Sequence, residues 1–345
     1  MTIAPLHGGA WLLRLHGTET SFVCRPGQTI LAAGLAAGLD LPYECASGSC
    51  GSCRGRLLQG QVCTRWGDAP GLSERDRAKR DRVLCCQSEP LTDCVVQLRL
   101  GPGPVPTAPE RWPATVASMR LLNEDVLHLV LRVDGARTPV FRPGQFMLFD
   151  GLGAIGRRAY SMANRPDGGP LLEFLIKRKP GGTASGWLFD RLRPDDPIAL
   201  EGPYGRSWLR DGTADSELLL LAGGSGLAPV WSIAQASLAT TPRRRVRLYF
   251  GVQCAQDLFW VEEMQRLAAT APALELVIAL ALPSAADPPG CRIGPIGEVL
   301  ASDLPPQAEH ELYMAGPPGL VNHATALLVR SGRLRAERVF YDRYV

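Results

Sequence analysis

Three cysteines fall within nine residues of the stretch YECASGSCGSCRG, at Cys45, Cys50 and Cys53. Thiolates on a C-x4-C-x2-C spacing suit a [2Fe-2S] cluster, whose fourth thiolate comes from further along the chain. Two adjacent candidates stand in DRVLCCQ, at Cys85 and Cys86. Neighbouring side chains of an extended segment point to opposite faces, so only one of them can meet the iron. Gly48 and Gly51 allow the backbone to wrap with its amides toward the sulfides, which stabilises their negative charge. Structural zinc usually draws on two separated close pairs, whereas here three ligands share one loop and no histidine lies near. A zinc site and a set of buried free thiols remain as blander readings. Cys24, Cys63 and Cys94 read as small core residues.

Anion and ring recognition forms a second group. In RAYSMAN, the Arg158 guanidinium can meet a pyrophosphate bidentately while the Tyr160 ring lies against a flat heterocycle, with Ser161 beside it. KPGGTASGWL is a glycine turn at Gly181 and Gly182 that opens a helix, where free amides and the hydroxyls of Thr183 and Ser185 make an anion site. EGPYG, Glu201 to Gly205, follows in order. LLLLAGGSGLAPV runs a buried strand into a turn at Gly224 and Gly226, so the backbone can approach a dinucleotide, although it is not the G-x-G-x-x-G fingerprint. Ile176 and Lys177, Gly251 and Asp257 of YFGVQCAQDLF, and Gly316, Pro317 and Pro318 of LYMAGPPGLV complete the cofactor-binding candidates.

These residues need three kinds of scaffold. Residues 1–101 hold eight of the ten cysteines and end in the proline-rich GPGPVPTAP, which places a linker at 102–112. In 113–210, TVASMRLL, VLHLVLRV and LLEFLIK alternate or run apolar between Pro/Gly turns, as in a small barrel. From 211 to 345 apolar strands alternate with helical segments, the pattern of a parallel sheet with crossover helices. SERDRAKR reads as a short charged helix with Ser73 as N-cap, and Arg243 to Arg245 as a solvated turn. With 345 residues, 46% of them apolar, the composition is that of a globular chain, and a net charge of +3 with dispersed basic residues leaves no footprint for nucleic acid. No signal peptide and no run of about 18 apolar residues occurs, so a cytoplasmic protein with no membrane partner is expected.

Residues 1–101 resemble a β-grasp ferredoxin domain of the plant type. The succession R-x-Y-S, PGG-x-x-S and GP-x-G resembles the flavin barrel of the ferredoxin–NADP reductase superfamily, and the later glycine motifs are similar to its nicotinamide domain, apart from Ala315 where cysteine is common. The order covers the full chain and resembles the reductase components of bacterial multicomponent oxygenases. WGDAPGLSERDR and FYDRYV look most like those serving di-iron aromatic (toluene-type) monooxygenases, with Rieske dioxygenase reductases as near neighbours. The resemblance implies a β-grasp domain, an antiparallel six-stranded flavin barrel and a parallel-sheet α/β nicotinamide domain. It implies FAD, one [2Fe-2S] cluster and NADH, with hydride passing to the flavin and single electrons to an oxygenase or its Rieske ferredoxin. Arg158 would then bind the FAD pyrophosphate, Tyr160 pack on the flavin and Ser161 hydrogen-bond near its N5, these last two being the catalytic pair. Gly182, Thr183 and Ser185 would hold phosphate, and Gly224, Gly226, Gly316 and Pro317 line the nicotinamide cleft. Related domains read V-L-x-C before glutamine, which makes Cys86 the fourth ligand and Cys85 a buried neighbour. NADH is expected over NADPH, because Gln253 to Asp257 offers no cation for a 2′-phosphate. The partner is expected to dock over Ser47 to Arg54 with modest salt dependence, since residues 1–103 carry eleven basic against nine acidic side chains. A stand-alone quinone or nitro reductase and a zinc-stabilised scaffold are the alternatives.

Overall fold

The structure is a computed structural model that describes residues 9–101, 103, 107–150, 156–211, 216–285, 287–305 and 309–344. Of the linker read at 102–112, residues 102 and 104–106 lie outside these, and Glu110 to Trp112 are strand instead, because they pair with Leu200 to Gly202.

The N-terminal domain is built from β1 (Trp11–Leu15), β2 (Ser21–Cys24), α1 (Ile30–Ala36), β3 (Arg54–Gln59), β4 (Val62–Thr64), α2 (Glu74–Ala78), β5 (Arg82–Leu84), β6 (Ser88–Pro90) and β7 (Cys94–Gln97). Its main sheet has the order β2-β1-β7-β3-β5, and the inner pair β1 and β7 is parallel. Thr29 caps α1 by accepting from Ala32 N at 3.2 Å, and Ser73 caps α2 by accepting from Asp76 N at 3.1 Å. Cys24 and Cys94 are buried, but Cys63 is exposed, because β4 pairs only with β6 in a two-stranded ribbon.

The second domain comprises β8 (Glu110–Leu121), β9 (Val126–Val133), β10 (Phe146–Asp150), β11 (Arg158–Ser161), β12 (Leu171–Lys177), α3 (Thr183–Asp190) and β13 (Pro197–Tyr204). The six strands run antiparallel in the order β11-β10-β13-β8-β9-β12, and a bridge between Met162 and Phe174 nearly closes them into a barrel.

The third domain runs β14 (Leu218–Gly223), α4 (Leu227–Thr240), β15 (Val246–Val252), α5 (Val261–Thr270), β16 (Leu274–Leu280), β17 (Arg292–Ile293), α6 (Ile296–Asp303), β18 (Glu311–Gly316), α7 (Pro318–Thr325) and β19 (Val339–Arg343). All six strands are parallel, ordered β17-β16-β15-β14-β18-β19. Leu218 to Leu221 are all fully buried, as a strand covered on both faces requires. The chain reverses direction across the sheet between β14 and β18, the switch point where open α/β sheets bind ligands beyond their strand ends. The turn read as solvated at Arg243 to Arg245 is so only in part. Arg244 is buried and pairs with the equally buried Glu311 at 2.9 Å, because this turn folds back onto the start of β18.

The hydrophobic cores run across the domain boundaries. Phe146, Leu148 and Tyr204 of the barrel belong to the core of the N-terminal domain, and Val126, Ala163 and Leu175 belong to one face of the third.

Candidate functional site

The four thiols read as ligands sort into two pairs. Cys53 Sγ and Cys86 Sγ lie 3.2 Å apart, and Cys45 and Cys50 hydrogen-bond through their side chains. Two thiolates for each of two metal centres is the donor set of a [2Fe-2S] cluster. Among the described residues no three His, Cys, Asp or Glu side chains converge as a site for one metal ion. Backbone amides already face the sulfurs: Ser47 N and Cys50 N donate to Cys45 Sγ, and Ser52 N donates to Cys50 Sγ, each at 3.4 Å. The Cys50 thiol, with the Ser47 hydroxyl and the amides of Ser47 and Cys50, holds the Cys45 pKa down to about 5 against burial. Gly51 has φ +77°, and a Cβ there would lie 2.6 Å from the carbonyl oxygen of Gly71, so the loop needs glycine for both conformation and space. Cys85 points the other way. It is buried beneath Gly55, whose added Cβ would touch its sulfur at 3.4 Å.

Beside this loop lies a cleft of about 1430 Å³ bordered by all three domains. That exceeds the roughly 300–1,000 Å³ typical of a single small-molecule pocket. Four helices begin at it: Gly182 precedes α3, Gly226 precedes α4, Pro295 precedes α6 and Pro317 precedes α7. None of the four has a side-chain cap, so α3 and α6 offer their first amides to an anion directly, α7 offers those beyond Pro318, which has no N–H, and α4 reaches the cleft only through the turn Gly224–Gly226 that leads into it. Away from the cleft, α1 and α2 are capped by their own side chains, whereas α5 is uncapped like the cleft helices. Glycine allows close approach where these elements cross. A Cβ on Gly226 would sit 2.1 Å from the carbonyl oxygen of Ala315, and one on Gly251 would sit 2.5 Å from the Ile296 side chain.

The cleft is bordered by Arg158, Tyr160, Ser161, Lys177, Gly181, Gly182, Thr183, Ser185, Gly224, Gly251, Asp257, Pro317 and, from the cluster loop, Cys45. Gly226, Gly316 and Pro318 stand behind this lining and set the path of the backbone. Ile176 corrects the sequence reading: it is fully buried in the barrel core, because along β12 Leu175 and Lys177 take the cleft side and alternation turns Ile176 inward. Ser185 Oγ accepts from Lys179 N at 3.0 Å, so its hydroxyl shapes the glycine turn. Asp257 Oδ2 accepts from Cys254 N at 3.2 Å and its Oδ1 lies 3.8 Å from Lys177 Nζ, so its charge is partly neutralised. Burial pushes the Tyr160 phenol up, keeping it neutral.

Several bordering residues come from segments that the motifs did not single out. Trp66 of the N-terminal domain carries the Arg158 guanidinium 4.7 Å above its ring. Tyr344 donates its hydroxyl to Ser161 Oγ at 3.2 Å. Asp342 has one carboxylate oxygen shut off from water with no hydrogen-bond partner, and burial, reinforced by the charge of Glu44, raises its pKa to about 7. A C-terminal aromatic beside an acid was the available signal, but FYDRYV served only as a mark of resemblance.

Comparison with known proteins follows the same three parts. Residues 13–91 match the 2Fe-2S iron-sulfur cluster binding domain, 113–208 the oxidoreductase FAD-binding domain and 220–326 the oxidoreductase NAD-binding domain. The chain is 45% identical over 328 residues to the ferredoxin–NAD(+) reductase component of the alkene monooxygenase system of Xanthobacter autotrophicus, covering 94% of this chain and 98% of that one. It is 32% identical to the xylene/toluene monooxygenase electron transfer component of Pseudomonas putida, covering 96% and 92%. The ferredoxin reductase in carbazole 1,9a-dioxygenase superposes with a TM-score of 0.86 at 35% identity, over 97% of this chain and 99% of that one.

Proposed function

The chain belongs to the family of ferredoxin–NAD(P)+ reductase components of oxygenase systems, and from that premise we propose how its residues divide the work. The protein is an oxidoreductase with FAD, NAD and [2Fe-2S] domains that drives electrons from NADH to an oxygenase. Bound FAD would supply the conversion of one hydride, two electrons at once, into two single-electron transfers to the cluster. The reading of the residues is carried by one observation: the starts of α3, α6 and α7, the glycine turn that leads into α4 and a cluster cysteine border the same cleft.

Arg158 and the amides at Gly182 and Thr183 hold the pyrophosphate of FAD. Tyr160 packs against the ring system, and Ser161, fixed by Tyr344, presents its hydroxyl to the flavin edge. Gly224, Gly226, Gly251, Gly316 and Pro317 shape the nicotinamide side. Cys45, Cys50, Cys53 and Cys86 hold the cluster. The domains divide at 1–101, 110–210 and 211–345, the barrel opening with β8 at Glu110. NADH is preferred to NADPH, since Val252, Gln253 and Ala281, where β15 and β16 end at the cleft, bring no cation.

The acceptor is an oxygenase or a ferredoxin. We place its docking on the Cys50 to Arg54 half of the loop, because Ser47 and Ser49 border the flavin cleft while Arg54 is exposed. A monooxygenase is favoured as the final acceptor, and the 45% identity to an alkene system sets alkenes beside aromatics as its substrate class. Reconstitution with oxygenase components tests this. Hydroxylation or epoxidation should require the reductase and run with higher kcat/KM on NADH than on NADPH. Full activity without a partner toward quinones or nitro compounds, or FMN in place of FAD, would overturn the reading.

A further inference from the structure

The segment Asp40–Glu44 leads directly into the first cluster cysteine, and three of its five residues are tied to other domains. Asp40 takes both amino groups of Arg206, one of them at 3.0 Å, and the Tyr43 hydroxyl accepts from Gly205 N at 3.0 Å. Both ties run to the barrel and its exit. Glu44 is tied elsewhere: Arg343, the last residue of β19, donates to it through Nε at 3.1 Å and through Nη2 at 2.6 and 2.9 Å. Arg343 stands opposite Gly316 of β18, and its neighbour Tyr344 is fastened by its N to the Gly316 carbonyl at 2.9 Å and by its hydroxyl to Ser161. One guanidinium therefore joins a strand end that borders the flavin cleft to the residue that precedes Cys45.

We propose that Arg343 is a positioning residue for electron passage from flavin to cluster. Its grip on Glu44 fixes the distance between Cys45, which borders the cleft, and the bound flavin; the proposal rests on the FAD and cluster assignments above. Each passage moves one electron from reduced flavin to oxidised cluster, and the proton that the flavin loses once both electrons have gone is released to water. Electron tunnelling falls exponentially with distance, so a loosened loop costs rate even where it costs little stability. The pair is about a quarter to a third exposed, at 31% and 26%. Such a pair contributes little to stability, and Asp40–Arg206 and Tyr43–Gly205 keep the domain docked without it. A bidentate guanidinium–carboxylate contact does supply orientation that a single point charge lacks.

The test uses the full-length protein loaded with FAD and cluster. NADH is mixed rapidly with Arg343→Gln, and bleaching of the flavin and of the cluster is followed separately. Cofactor content and the cluster's electron paramagnetic resonance signal should match wild type, and flavin reduction should keep its rate. Cluster reduction should slow by about threefold to tenfold, since tunnelling falls exponentially as the loop drifts from the flavin. Glu44→Gln should give the same loss, the double variant no greater loss than either single one, and Arg343→Lys partial recovery. Added salt should slow cluster reduction in wild type and leave Arg343→Gln unchanged. Equal slowing of both steps, slowing of neither, or additive losses in the double variant would overturn the proposal. Absence of FAD or cluster from the wild-type protein would instead refute the assignments beneath it.

Discussion

In the cluster loop, nine consecutive residues supply three of the four thiols and the amides that face them. The cleft beside it draws on helix starts near 183, 227, 296 and 318, a tryptophan at 66 and a tyrosine at 344. The loop is local, and its chemistry is set by spacing and glycine conformation. The cleft is assembled by topology, and its chemistry exists only once β14 and β18 lie side by side and β19 returns to the barrel. A site of the first kind depends on a few irreplaceable side chains. The second kind spreads its binding over many backbone groups, so single side-chain losses there should have graded effects.

The sharpest test of that contrast is at Cys86, the proposed cluster ligand that lies outside the loop. Cys86→Ala should lose the cluster and electron delivery altogether, while NADH still reduces the flavin. Cys85→Ala, which removes a buried sulfur facing the core, should keep the cluster's visible spectrum. Iron content and spectra of the two variants check this, and the reverse pattern would move the ligand by one residue. Within the cleft, Trp66→Ala should raise the FAD dissociation constant by about 3- to 30-fold, the worth of a cation–π contact of roughly 0.5–2 kcal/mol. Titration of the flavin-free protein with FAD measures it. An unchanged constant would confine the FAD site to the barrel and make the contrast between the two regions a contrast between separate domains.

The last expected effect is on folding stability, not on electron flow, and concerns Asp342. Its pKa rises from 3.8 toward about 7 on folding, so folding favours the protonated acid. The unfolded chain ionises first, and the folded state loses stability as pH climbs between those values. Asp342→Asn should therefore gain in Tm over wild type progressively from pH 4 to pH 7 and level off above. A constant difference across that range would mean that the carboxyl is paired and ionised throughout.

Legibility in the sequence followed the same divide. C-x4-C-x2-C is a local pattern, and so are the Ser73 cap, the glycine turns and the alternation of strands with helices, since each depends on residues a few positions apart. Choosing Cys86 over Cys85 needed the resemblance, because alternation says only that one of the two faces the iron. Ile176 was misplaced although its strand was seen: which face of β12 borders the cleft depends on barrel closure, which has no local signature. Arg244 looked solvated because nothing near it in sequence reveals Glu311, 67 positions away. Glu44 and Arg343, 299 positions apart, went unnoticed for the same reason.

The cores that cross the domain boundaries bear on inheritance. Phe146, Leu148 and Tyr204 complete the hydrophobic interior of the N-terminal domain, so removing that domain would expose these apolar side chains of the barrel to water. A ferredoxin unit moved between relatives to change the oxygenase it serves would have to bring the matching face of the barrel with it.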